Sequence, residues 1–194
     1  VGLDALYAVL SSALGGTPGP PPGADLSNIS TRGFVGTANN VMICGLIIPG
    51  DRPKKVILRA LGPSLKRPPF NVPDSLSHPV LELLDSRGRL IASNDNWRSA
   101  GNAGAIAASG YAPLNNKEPA ILTSLDPGNY TAVVRGANNT TGIALLESYD
   151  LDFTSAQKFG NVSTRAFVGT AANVMIAGVI AHGPDNEDVV IRGL

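Results

Sequence analysis

Acid–base, nucleophilic or metal chemistry needs histidine, cysteine or carboxylates at working distances, and this chain has few of them. Its 194 residues include two histidines, His78 and His182, and one cysteine, Cys44. The histidines do not have zinc-ligand spacing, no Gly-x-Ser-x-Gly elbow surrounds a serine, and no phosphate-cradling glycine loop is present. A lone cysteine closes no intramolecular disulfide. The expectation is a protein that is not an enzyme. One oxygen-rich cluster stands out: Asn94, Asp95 and Asn96, with Asp85 one hairpin earlier. Ca²⁺ takes six to eight oxygens, so these four side chains are a calcium candidate, and no other cofactor is suggested. The competing reading is that Asn and Asp close turns with their own side chains. Trp97 follows the cluster, either as a sugar-stacking platform or, as expected here, as a loop anchor packed on the fold.

Composition narrows the elements that hold these residues. The formal net charge is zero and the apolar fraction 43%, enough for a core and no electrostatic reason to expect nucleic acid. With 22 Gly and 15 Pro, short strands and many turns are favoured over long helices. No apolar run reaches the ~18 residues that span a bilayer. Residues 1–16 are the best helix candidate, with Leu3, Leu6, Tyr7 and Leu10 at helical spacing and Gly15-Gly16 at its end. Thr17–Gly23 reads TPGPPPG, an extended spacer, so residues 17–25 form a linker.

From Ile29 onward the sequence reads as strands. Val41–Ile48 (VMICGLII) is a continuous apolar run between Asn39-Asn40 and Pro49-Gly50, which predicts a strand covered on both faces. Lys55–Leu61, Val80–Asp85, Arg89–Ser93, Ala120–Leu125, Tyr130–Arg135 and Ile143–Tyr149 follow, with a hairpin turn at Ser86-Arg87-Gly88 and a helical turn around Ala103–Ala108. The expected fold is all-β, a jelly-roll-like β-sandwich.

The chain also copies itself. Asn28–Leu61 aligns with Asn161–Leu194 at a constant offset of 133 residues, with 19 identities in 34 positions and no insertion. A period that long marks a repeated domain. The first unit is expected over 26–159, and 160–194 repeats its opening as a β-meander.

The motifs NISTRGFVGT, NVMICGLII, VILRALGPSL, HPVLELLDSRGRLIASNDNW, EPAILTSLDPGNYTAVVRG and TGIALLESYDLD cover almost the whole first unit. Together they resemble a repeated module of secreted and cell-surface bacterial proteins. The central part, LELLDSRGRLIASND to LDPGNYTAVVRG, is also similar to pre-peptidase C-terminal domains, the β-sandwich accessories of secreted enzymes. The resemblance implies an extracellular, non-catalytic β-sandwich and brings no catalytic site. The chain departs from the recurrent motifs at Cys44, where glycine is common, and at Pro119 and Ser148.

A partial repeat must bury its apolar strands on something. The candidate assembly surface comprises Leu3, Leu6, Tyr7 and Leu10 of the helix with Val174, Ile176, Val179, Val189 and Ile191 of the copy. The loop after the second strand carries Arg52, Lys54 and Lys55 in the first copy and Asp185, Glu187 and Asp188 in the second. Reversed charge at equivalent positions suits a head-to-tail contact. The leading expectation is therefore a homopolymer: a structural subunit of an extracellular filament, assembling by strand addition. The alternative is an adhesion or ligand-binding accessory module of a longer secreted protein.

Overall fold

A computed structural model of the chain describes residues 25–152, 159–170, 173–182 and 190–193. The proposed N-terminal helix, the Pro-rich spacer, Asp185, Glu187, Asp188 and Val189 lie outside the described residues. Ten strands form two antiparallel five-stranded sheets: β1 (Asp25–Val35), β2 (Met42–Ile48), β3 (Lys54–Leu61), β4 (Pro79–Leu84), β5 (Leu90–Asn94), β6 (Ala120–Leu125), β7 (Gly128–Gly136), β8 (Gly142–Asp150), β9 (Asn161–Arg165) and β10 (Ile176–His182). One sheet has the order β10-β1-β8-β3-β6, the other β5-β4-β7-β2-β9. Except for the β4–β5 hairpin, every strand is followed in sequence by a strand of the opposite sheet. The two sheets therefore cannot form independently, and the all-β sandwich expected from the turn spacing is what the chain adopts.

Period-two alternation builds the layer between the sheets. Met42, Cys44, Leu46 and Ile48 on β2 face Val56, Leu58, Ala60, Ala144 and Leu146 of the opposite sheet in one core cluster, with Leu81, Leu83, Ala132 and Val134 beside them. β2 corrects the expectation for Val41–Ile48. Only alternate residues are buried, and Ile47 is exposed, because this sheet's outer face is open at β2. Both faces are covered in β8, whose nine residues are all buried. There the outer layer comes from two segments: Leu65 and Val72, between β3 and β4, pack on Ile143 and Leu145, and the loop after β5 covers the end with Tyr149. The helix α1 (Ala103–Ala108), Trp97 and Tyr111 form a second apolar cluster with Ile57, Leu122 and Tyr149. Trp97 is thus a packed anchor and offers no exposed ring to a sugar.

Glu118 pins this loop. Its buried carboxylate accepts from the backbone N–H groups of Gly62 (2.9 Å) and Ser64 (2.7 Å) and from the Ser64 hydroxyl (2.6 Å). A buried carboxylate is tolerable when its lone pairs are filled in this way. Two further charged groups lie in the β3–β8 ladder. Arg59 Nε donates to Glu147 Oε2 at 2.5 Å, and its other nitrogens donate to the Tyr111 carbonyl (2.8 Å) and the Tyr149 hydroxyl (3.1 Å). Burial works against the Arg59 charge, but Glu147 beside it prevails and holds its pKa above the ordinary value. Burial, reinforced by Glu147, pushes the Tyr149 hydroxyl up.

Lys54, which the sequence places among the loop charges, is instead the first residue of β3, fully buried, and ion-paired with Asp150 of β8. Its stem lies inside the sandwich, so it offers no charge to a partner.

Removing one member of a buried ion pair leaves the other charge desolvated, which costs about 3–5 kcal/mol. Asp150→Asn is expected to lower stability by that order in urea unfolding. The double change Lys54→Met with Asp150→Leu should recover most of the loss. Equal loss in single and double variants would show that the pair matters through shape rather than charge.

Candidate functional site

The residues proposed for calcium do not form one site. β4 pairs Leu81 with Asn94 and Leu84 with Leu90. Asp85 therefore sits at the turn end of the hairpin, roughly 13 Å along the strand from Asn94 at a rise of about 3.3 Å per residue. Each group also has a local task. Asp85 Oδ1 accepts from the N–H groups of Arg87 (2.9 Å) and Arg89 (3.0 Å), and its Oδ2 accepts from Arg89 Nε (2.7 Å). Those bonds close the turn in which Gly88 takes φ +74°. Asn94 Oδ1 accepts from the Ala120 N–H at 3.1 Å, and Asn96 Oδ1 from the Arg98 N–H at 3.0 Å. Asp95 is exposed, with the His78 ring Nε2 3.2 Å from its carbonyl oxygen. Turn closure explains the cluster. Among the described residues no group of three His, Cys, Asp or Glu comes together to hold a metal.

Open clefts among the described residues include one of about 580 Å³ and one of about 410 Å³. The first is lined by Pro63, Lys66 and Lys117 among others, the second by Asn94, Asp95 and Asn102. Neither has a histidine or cysteine in its lining. Cys44 lies in the core, where burial pushes its thiol up to about 12, away from nucleophilic chemistry.

The arrangement with functional content is the seat of the copied strands. β9 repeats β1 and lies on β2, while β10 repeats β2 and lies on β1. The two ladders have one register. β1 pairs Asn28, Ile29, Ser30, Thr31 and Arg32 with Ile180, Val179, Gly178, Ala177 and Ile176. Adding or subtracting 133 turns these pairs into Asn161–Ile47, Val162–Leu46, Ser163–Gly45, Thr164–Cys44 and Arg165–Ile43, which are the pairs of β2 with β9. A pseudo-two-fold axis therefore relates the two copies. It passes between Phe34 and Phe167, which are themselves 133 apart, form an antiparallel bridge, and meet edge to face with centroids 6.2 Å apart. Gly33 is at the axis too. A Cβ there would stand 2.8 Å from Ala166 Cβ and 3.3 Å from the Met42 methyl, so only a missing side chain lets the backbones approach. The turns repeat as well: the Gly36 N–H donates to the Asn40 carbonyl at 2.7 Å, and the Gly169 N–H to the Asn173 carbonyl at 2.9 Å.

Of the residues proposed for assembly, Ile176 and Val179 lie in the β10 ladder, Val174 precedes it, and Ile191 is exposed beyond it. Arg52 and Lys55 are exposed. The contact missed from sequence is the axis itself: Gly33, Phe34, Ala166 and Phe167. Conservation of the phenylalanine in both copies, beside the only Gly-to-Ala change in STRGFVGT, was the signal available. Comparison of the chain with protein-family models, curated proteins and solved structures finds no match.

Because the residues at the axis are each other's counterparts, exchanging them rebuilds the same pair. Gly33→Ala alone should cost about 1–3 kcal/mol by overpacking, and Ala166→Gly added to it should return stability to near wild type in a thermal double-mutant cycle. Additive effects would place the two residues out of contact.

The Asp85 turn makes a pH prediction. Hydrogen bonds from the Arg89 backbone, then its guanidinium, and from Arg87 hold the Asp85 carboxyl below its ordinary 3.8. A depressed folded pKa gives stability that is present above the unfolded value and lost as pH falls through the folded one. Asp85→Asn should therefore flatten acid unfolding below pH 3.8 and leave its shape at neutral pH unchanged, as read by circular dichroism.

Proposed function

We propose that the chain is a non-catalytic structural module of an extracellular bacterial surface assembly, joined to its like through its first two strands. The single observation that carries this reading is the shared register of the β1–β10 and β2–β9 ladders. A surface that pairs with a copy of itself in one register, on both sheets at once, is a specific joint rather than a sticky edge. Main-chain hydrogen bonds supply affinity, and alternating side chains with the close approach at Gly33 supply register. The resemblance of the first unit to a repeated module of secreted and surface proteins points the same way.

The joint differs from a head-to-tail strand addition in one respect. The two copies meet head to head, by equivalent surfaces, and such an isologous contact closes at two members. Growth into a longer array then requires a second contact elsewhere on the unit.

Phe167→Asp combined with Ala166→Leu should expel the copy from the axis while leaving Gly33 and Phe34 untouched. The freed β1 and β2 edges of two molecules should then pair in the register of the intact chain. Sedimentation is expected to show a species that saturates at two. Alkylation of Cys44, which lies on β2 opposite Thr164, should speed up in the monomer and slow again on dimerisation. A strict monomer at high micromolar concentration, or open-ended polymers, would count against a like-with-like joint.

A further inference from the structure

We infer that the far side of the copied strands is a docking face for the β7–β8 segment of a second unit, so that neighbouring units share both sheets. This rests on the like-with-like reading and specifies what lies beyond the joint.

Exposure shows where the face is. Residues that are core in the first unit stand in solvent in the copy. Val35 is 0% exposed and its counterpart Val168 60%; Leu46 is 1% and Val179 42%; Ile57 is 0% and Val190 86%. Leu58 is buried and Ile191 exposed. On β10 the positions matching Cys44, Leu46 and Ile48 are Ala177, Val179 and Ala181, and all three are exposed. They are small or apolar, as inner-face residues are, and neither charge nor proline guards them, as would be expected of an edge meant to stay in water.

The first unit identifies the occupant. There, β1 has one edge on the copy and the other on β8, while β2 has one edge on the copy and the other on β7. In the copy, the first of these edges is used in the same way. The second edges of β9 and β10 are the outermost of their sheets among the described residues. In the register of the first unit, a β8-like strand would set its Ser148 counterpart against Val162, and a β7-like strand would set its Tyr130 counterpart against Val179. The β7–β8 segment changes sheet between its two strands, which the crossing from β9 to β10 requires. Sheet order would then read through the joint as β8-β1-β10 followed by β7 of the second unit, and as β7-β2-β9 followed by its β8.

The test extends the full chain. Residues 62–159 are joined directly after Leu194, the counterpart of Leu61, so that the second unit is complete. Hydrogen exchange at 161–165 and 176–182 should slow at least tenfold, and binding of an apolar dye should fall at least twofold relative to the unextended chain. Unchanged exchange in both segments would overturn the proposal. If the extended chain does not fold, a synthetic peptide of residues 128–152 is titrated into the unextended chain. Saturable binding that protects the same two segments supports the proposal, and no binding up to millimolar peptide overturns it. Self-association of the unextended chain through this face, unaffected by the peptide, would assign the face to a second intact copy and also overturn it. Expulsion of the copy by Phe167→Asp tests the opposite edges, so failure of the joint and failure of the docking face are separately visible.

Discussion

A strand inside an antiparallel sheet is satisfied only when both of its edges are paired, and in this sandwich that constraint falls on β1 and β2. Each has a partner from its own unit on one edge, β8 for β1 and β7 for β2. The other edges would present two rows of backbone donors and acceptors, one in each sheet. The chain fills both with a copy of the strands that need filling. Because the copy inverts the roles, β9 in the sheet of β2 and β10 in the sheet of β1, one contact closes both sheets and creates a two-fold relation without a second molecule. The close approach at Gly33 and the edge-on Phe34–Phe167 pair follow from that relation: residues on an axis meet their own counterparts, so they must be small or able to pack on themselves.

The rest of the unit is organised to hold β1, β3 and β8 rigid behind that joint. β8 is central in its sheet and buried on both sides, between the inter-sheet core and an outer layer made by the β3–β4 segment and the loop that contains α1. Such a strand cannot alternate simply between apolar and polar residues. Its charged residues instead find partners on β3: Glu147 with Arg59 and Asp150 with Lys54. Buried pairs of this kind add little net stability, but mispairing by one residue would leave each charge alone in the interior. They act as register pins for the ladder from which β1 extends. Glu118 fixes the covering loop to the end of β3 by accepting three hydrogen bonds there.

Much of this was legible in sequence because turn chemistry is local. Asp85, Gly88 and Arg89 define a hairpin whether or not a sheet surrounds them, and apolar runs bounded by Pro, Gly and Asn marked the strands within a few residues. Burial was less legible. VMICGLII looks covered on both faces, yet Ile47 reaches solvent, because hydrophobicity does not record whether a second layer lies outside. Lys54 looked like a loop cation because a lysine seldom enters a core, and only the position of Asp150, almost a hundred residues later, makes its burial tolerable. The Asn94–Asn96 cluster looked like a metal site because oxygens adjacent in sequence look convergent, and strand register decided otherwise.

What the sequence by itself determined is the parts: a β-rich unit, its turns, the 133-residue repeat and the scarcity of catalytic groups. Whether the copy stacks behind the first unit, adds to another molecule or turns to face its own original is a question about edges, and an edge is a property of the sheet. Tertiary structure decided that the copy is seated head to head on the strands it duplicates. The physical reason is that antiparallel pairing of two equivalent strand pairs, one in each sheet, fills both open edges at once when the two ladders share a register, as they do from Asn28 to Arg32 and from Asn161 to Arg165.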